Sequence, residues 1–434
     1  MVKNTKDVQT LYKQTLTTAD KAIELIKDKT RFAFPMHFMQ PKGLFEALAN
    51  KARKRRLHKT RWILILFKRI CKKIVFLDWD LNKIIVPHSF FISDIERKIK
   101  AKIDSEKGEK RVMFHPCHFS QAPKVFTEVI KPDTFIIMVS PMDKFGFMSL
   151  GLSNDNASAL VKNVKNLIVE VNENVPYTYG SENVIHVSQV AAIVENNVPL
   201  LKMPDTEPKE EEIKIAETIA KMIPDGATIQ MGFGGLPNLV CEKLKNYKDL
   251  GIHTEVLTKG MIHLIQAGAV TNKKKILTKV NLFIHFQSLI KKMYELLDRN
   301  RTLSSYPIDY VNDPSVIAKN DNVVSINSTI EIDLTGACNA EHLKGHQYSA
   351  SGGQLDFVRG HIYLKNGKSI IALTSRTSNQ KYSKIVPRLS GPVATPRNDV
   401  HWVVTEYGTV NLKELSSSER AEALISLAHP DFRT

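Results

Sequence analysis

Apolar positions along this chain alternate between two periods. "TFIIMVS" (Thr134–Ser140) is a short continuous apolar run, the pattern of a strand buried on both faces. "NLIVEVN" (Asn166–Asn172) and "NVIHVSQV" (Asn183–Val190) predict further strands. Thr18 to Asp28, opened by Thr and Asp, predicts a helix. Near residue 203 the texture changes to a polar, Pro-bearing stretch. Apolar residues then recur at Ile213, Ile215, Ala216, Ile219, Ala220 and Ile223, at helical spacing behind acids crowded into a first turn. Helices alternating with strands predict an α/β architecture. The break near residue 203 predicts two domains, 1–203 and 204–434.

A length of 434 residues and 43% hydrophobic residues suit two or three globular domains. The net charge of +16 points first to nucleic acid or an anionic membrane. Its distribution argues otherwise. Residues 51–73 hold eleven Lys or Arg and no acid, and without them the chain carries only +5. The apolar run Trp62–Phe67 inside that segment is far below the roughly 20 residues a bilayer needs. Cys71, Cys117, Cys241 and Cys338 are widely spaced, with no CxxC, which suits a reducing compartment. The first thirty residues lack an apolar signal core. The expectation is a cytoplasmic protein that binds neither nucleic acid nor membrane.

Three stretches carry candidate chemistry. In "ATIQMGFGGLPNLVCEKL" (Ala227–Leu244), Ile229, Met231 and Phe233 alternate as a strand. Gly232, Gly234 and Gly235 form the turn, and a helix is expected from Pro237. Such a turn lets a ligand approach the backbone, and a helix start offers free N–H groups to an anion. The pattern is neither the dinucleotide GxGxxG nor a P-loop. In "IHTEVL", His253, Glu255 and Leu257 share one face if the segment is a strand. Ligands of open α/β folds sit at strand carboxyl ends, so Glu255 is a candidate nucleophile. Taken alone, an exposed loop glutamate is the commoner reading. In "YSASGGQLDFVRG" (Tyr348–Gly360), Gly352 and Gly353 could offer adjacent N–H groups to an oxyanion; a plain turn is equally compatible. "HPCH" (His115–His118) is too tightly spaced to close a metal site by itself, and no metal is expected. Lys273–Lys275 is a basic run that could meet phosphates or simply be solvated.

Taken together and in this order, the motifs resemble the acetyl-CoA hydrolase/transferase family, which includes butyrate:acetyl-CoA and 4-hydroxybutyrate CoA-transferases. "VSPMDKFGFMSLGLS", "GFGGLPN", "GIHTEVL", "DYVNDPSVIAKNDNVVSINSTIEIDLTG", "GGQLDFVRG" and "SKIVPRLSGPVATPRNDVHWVVTEYGTVNLK" all look like its signatures. The resemblance implies two similar open α/β domains of the CoA-transferase type. It implies ping-pong transfer of CoA between a short-chain acyl-CoA and acetate or a similar carboxylate, through a thioester on Glu255. It places Gly232, Phe233, Gly234, Gly235, Leu236 and Gly353 at the CoA site and Asn327 in the pocket. It implies no permanently bound cofactor, CoA as a substrate, and a homo-oligomer.

Two stretches, 50–80 and 276–290, depart from the family pattern, and the resemblance resumes abruptly at "KKMYELLDRN". Abrupt loss and recovery without much change of length is what paired frameshifts would produce. After Glu255 the family's Ser-Asp-Gly is replaced by Thr258-Lys259-Gly260, and the cation is expected to lower the carboxyl pKa. The rival readings are an acetyl-CoA hydrolase on the same scaffold, an inactive relative, and a basic binding protein acting through residues 51–73.

Overall fold

The structure, a computed structural model, describes residues 5–54, 60–61, 78, 80–106, 112–200, 207–232, 234–277, 281–282, 291–364 and 366–434. Continuous apolar runs become parallel strands, because a parallel strand is covered on both faces and needs apolar side chains on each. All of Thr134–Val139 is buried, as is Leu167–Val171 of Asn166–Val171. These two strands lie between Phe32–Ala33 and Ala192–Glu195 in a four-stranded parallel sheet.

A nine-stranded sheet forms the rest of the frame. Its order is Gly408–Asn411, Trp402–Thr405, Lys368–Ala372, Val323–Ser328, Thr228–Met231, Gly251–Thr254, Asn281–Leu282, Ser304–Ser305 and Tyr179–Gly180. Among the described residues of this sheet, only the pair Trp402–Thr405 and Gly408–Asn411 is antiparallel. Thr228–Met231 is a topological switch point. The next strand in the chain lies on one side of it, and the chain later returns to place Val323–Ser328 on the other. Ligands of open α/β sheets bind beyond the carboxyl ends of strands at such a point.

One apolar cluster joins the two sheets, running from Phe135, Ile137 and Val169 to Ile229, Ile252, Ile326 and Val404. Tyr179–Gly180 also comes from the first half of the chain and pairs with Ser304–Ser305. The expected domain boundary near residue 203 lies outside the described residues. So do most of the basic run 51–73 and much of segment 276–290. Within the latter, Asn281–Leu282 pairs with His253–Thr254, so this segment supplies a neighbour to the strand that leads to Glu255.

Two expectations change in detail. The helix opened by Thr18, whose side chain accepts from Lys21 N, spans only Ala19–Ile23. Buried Lys51 donates to the carbonyls of Ile23 and Ile26 at 3.1 and 2.8 Å, which fixes the helix end. "NVIHVSQV" is a strand only over Val184–His186. The Gln189 side chain then accepts from His186 N and winds Val187–Gln189 into a 3-10 turn. Glu210–Lys221 forms as expected, with Ile215, Ala216, Ile219 and Ala220 buried and Glu210, Glu211 and Glu212 in its first turn. Among the described residues no helix is long and apolar enough to cross a membrane.

Candidate active site

Three adjacent strands deliver the site. Thr228–Met231 runs into Gly232, whose N–H donates to the Ile326 carbonyl at 2.8 Å. A Cβ there would lie 3.2 Å from both Ile326 O and Asn327 Oδ1. Gly234 turns the chain at φ 127°, a region that disfavours side chains. The following helix is Gly235–Lys243, beginning two residues before the expected Pro237. Pro237 is tolerated because first-turn N–H groups have no intrahelical acceptor. Leu236 is buried; Phe233 lies outside the described residues. Asn327 is buried and exchanges two hydrogen bonds with Gln230, at 3.1 and 3.3 Å. It therefore ties its own strand to Thr228–Met231.

Glu255 follows the strand Gly251–Thr254 by one residue and is 6% exposed. The expected shared strand face with His253 and Leu257 is not formed, because the strand ends at Thr254. Glu255 Oε2 accepts from Asn312 Nδ2 at 2.7 Å, and the same amide reaches Asp356 Oδ2 at 3.3 Å. Burial pushes the Glu255 carboxyl up to about 7; the Asn312 hydrogen bond opposes the rise and the Asp356 charge adds to it. The lowering expected from Lys259 is thus overturned: removal from water is the largest influence on this carboxyl, and it raises the pKa.

His253 is buried and neutral, its pKa depressed to about 3 first by burial and then by the Lys275 charge. Its Nε2 lies 2.8 Å from the Val311 carbonyl, and its Nδ1 lies 3.4 Å from the Asn320 amide. A neutral ring with Nε2 donating and Nδ1 accepting satisfies both contacts. It holds the end of the helix Ile308–Val311, from which Asn312 projects toward Glu255.

The second glycine pair closes the site. It is a helix start rather than a turn between strands: Gly353 caps Gln354–Gly360. Gly352 has φ +57° with open space around it, so it serves the backbone. Gly353 serves space. A Cβ on it would fall 1.9 Å from Glu255 Oε2 and 2.1 Å from Asn312 Nδ2. The "HPCH" segment buttresses this loop from the other half of the chain. Phe119 N donates to Gly352 O at 3.0 Å, and His118 forms a β-bridge with Gly352. His115 meets His88 at 2.9 Å instead. Among the described residues no group of three His, Cys, Asp or Glu side chains could hold a metal. Of the run Lys273–Lys275, Lys275 is buried and donates to the Ile252 carbonyl at 2.7 Å, which removes it as a phosphate contact.

No role for Asn312 or Asp356 was legible in the sequence, although both stood inside the family-like segments. Each is brought to Glu255 only by the fold, across 57 and 101 positions of sequence.

Parallel α/β sheets with a buried carboxylate at a switch point, between a glycine-rich helix start and a second glycine pair, form a scaffold of the CoA-transferase class. The chain belongs to the acetyl-CoA hydrolase/transferase family. Its residues 1–204 match the family's N-terminal domain and residues 290–434 its C-terminal domain. It is 38% identical to the 4-hydroxybutyrate coenzyme A transferase of Clostridium kluyveri, over 98% of this chain and 96% of that protein. It is 34% identical to the butyryl-CoA:acetate CoA-transferase of Anaerostipes caccae, over 97% and 95%. The crystal structure of RipA from Yersinia pestis superposes with a TM-score of 0.93 at 46% identity, covering 98% of this chain and 97% of that one. The acetyl-CoA hydrolase of Candida albicans is more distant, 27% identical over 52% of this chain.

Proposed function

We propose that this protein transfers CoA between a short-chain acyl-CoA and acetate or a similar carboxylate, with Glu255 as the nucleophile. The observation that carries the proposal is a carboxylate buried at the switch point, held by one amide donor, with a glycine kept clear in front of it. Glu255 attacks the thioester carbonyl, the C–S bond breaks, and a mixed acyl–glutamyl anhydride forms as CoA thiolate leaves. The thiolate attacks the glutamyl carbonyl and expels the carboxylate, leaving a glutamyl-CoA thioester. An acceptor carboxylate reverses the two steps. Every electron pair is accounted for without an external oxidant or reductant. We assign CoA as a substrate with no permanently bound cofactor. Gly232, Gly234, Gly235 and Leu236 form the edge of its site, and Asn327 stiffens the strand ends beneath. A cytoplasmic homo-oligomer with domains dividing near residue 203 completes the reading.

Burial of Glu255 favours transfer over hydrolysis, because water competes for the thioester only if it is admitted. The expected kinetics are parallel double-reciprocal lines when acetyl-CoA and butyrate are varied, with little thiol release when no carboxylate is added. Intersecting lines would contradict the covalent route, and rapid thiol release from acetyl-CoA alone would support the hydrolase.

The attacking form is the carboxylate, and its pKa is raised to about 7. kcat/KM for acetyl-CoA is therefore expected to fall about tenfold per pH unit below pH 7 and to level off above it. A profile flat down to pH 5 would contradict this ionisation.

A further inference from the structure

The mechanism above leaves one buried acid beside the nucleophile without a task. Asp356 is 6% exposed, in the first turn of Gln354–Gly360. An acid there commonly serves its own helix start, but this one does not. Its oxygens accept from Ser120 N at 3.1 Å, Ser120 Oγ at 2.8 Å and Asn312 Nδ2 at 3.3 Å. All three donors are neutral, and none belongs to its helix. The Asn312 amide is shared, with its shorter bond to Glu255. Two carboxylates thus converge on one NH2 group in a dry site.

Resting on the reading of Glu255 as nucleophile, we propose that Asp356 is a positioning residue for the covalent step. Held by Ser120 and sharing the Asn312 amide with Glu255, it disfavours the free Glu255 carboxylate and so favours its conversion to the neutral glutamyl-CoA thioester.

The physical basis is a change of charge. With Glu255 ionised, two like charges face each other at low dielectric, where their repulsion is weakly screened. When Glu255 becomes an anhydride or thioester, its charge departs with the thiolate and then with the released carboxylate. The repulsion goes with it. Asn312 keeps its bond to Asp356 and can still donate to the glutamyl carbonyl. Ser120 comes from the segment that bridges to Gly352, so the charge is anchored across the two halves of the chain. The other titratable groups facing the pair are His118, which acts on Asp356, and Cys117, whose thiol is pushed up to about 11 by burial and by Asp356. Lys259 opens the next helix, and the neutral His253 turns to Val311.

The test compares wild type, Asp356→Asn and Ser120→Ala in two readouts. One is the acid limb of the kcat/KM profile. The other is the fraction of chain trapped as glutamyl-CoA, measured by intact mass at a fixed acetyl-CoA to acetate ratio. Removing the charge should move the limb down by about one pH unit and cut the trapped fraction about tenfold. Removing the Ser120 hydroxyl leaves the Asp356 charge less compensated and should move the limb up. Opposite signs are not what general loosening of the site produces. If Asp356→Asn does not fold, Ser120→Ala decides by its direction. Trapping in wild type that is unchanged in Asp356→Asn, or limbs that move the same way in both variants, overturns the role of Asp356 alone. No trapping in wild type overturns the Glu255 reading and this inference with it.

Discussion

Glu255→Gln loses about 10⁴-fold or more in kcat while melting higher than wild type above pH 7. The activity loss follows from chemistry: an amide cannot open a thioester to form an anhydride, and removal of a nucleophile takes covalent catalysis with it. The stability gain follows from linkage. Burial raises the folded carboxyl from the ordinary 4.5 to about 7, so the native state holds this proton more tightly than the unfolded chain. Stability from this group is fully present below pH 4.5 and falls as pH rises through 7. The penalty above pH 7 is of the order of 3 kcal/mol. Glutamine carries none of it. Thermal melts at pH 5 and pH 8 check the sign: the variant's advantage should be small at pH 5 and several degrees at pH 8. An equal or lower melting temperature at pH 8 would mean that the carboxylate is not held at an energetic cost.

Gly353→Ala is expected to lower kcat about 100-fold with a change in melting temperature of only a few degrees. Its backbone, at φ −95° and ψ 5°, accepts alanine without strain. What alanine lacks is space, since its Cβ would lie 1.9 Å from Glu255 Oε2 and 2.1 Å from Asn312 Nδ2. Both are ends of side chains, so the fold survives by moving them. They are also the nucleophile and its amide donor, and an ångström of misplacement costs about two orders of magnitude in rate. Gly352→Ala is the contrasting control. Its left-handed φ of +57° makes alanine strained by about 1 kcal/mol, but nothing lies within 4 Å of the new Cβ. Steady-state kinetics beside melting curves separate the two glycines. Equal kcat losses in both would contradict the role of free space before Glu255.

Local pattern and global placement contributed differently to the site. The strand before Gly232, the helix after it and the helix Glu210–Lys221 were legible because periodicity and first-turn chemistry are local. Glu255 was marked by its place at a strand end and by the family-like order of motifs. Asn312 and Asp356 were not marked, because an amide and an acid become partners of Glu255 only when separate helix ends meet at the switch point. The Lys259 expectation failed for the same reason. A cation four positions along the chain set the expected sign, while burial, which one chain's sequence does not state, decided it. The short helix after Thr18 is another case: its end is fixed by Lys51, the first residue of the basic run 51–73. Fold class followed from alternation of periods, and the strand order with its switch point came only from the structure.

The most direct test is peptide mass spectrometry of the protein after brief incubation with acetyl-CoA, with and without borohydride. The expected result is a CoA adduct on the peptide carrying Glu255, converted by borohydride to the alcohol and absent in Glu255→Gln. A folded protein that turns over acetyl-CoA and acceptor carboxylate while Glu255 stays unmodified at every quench time would contradict it.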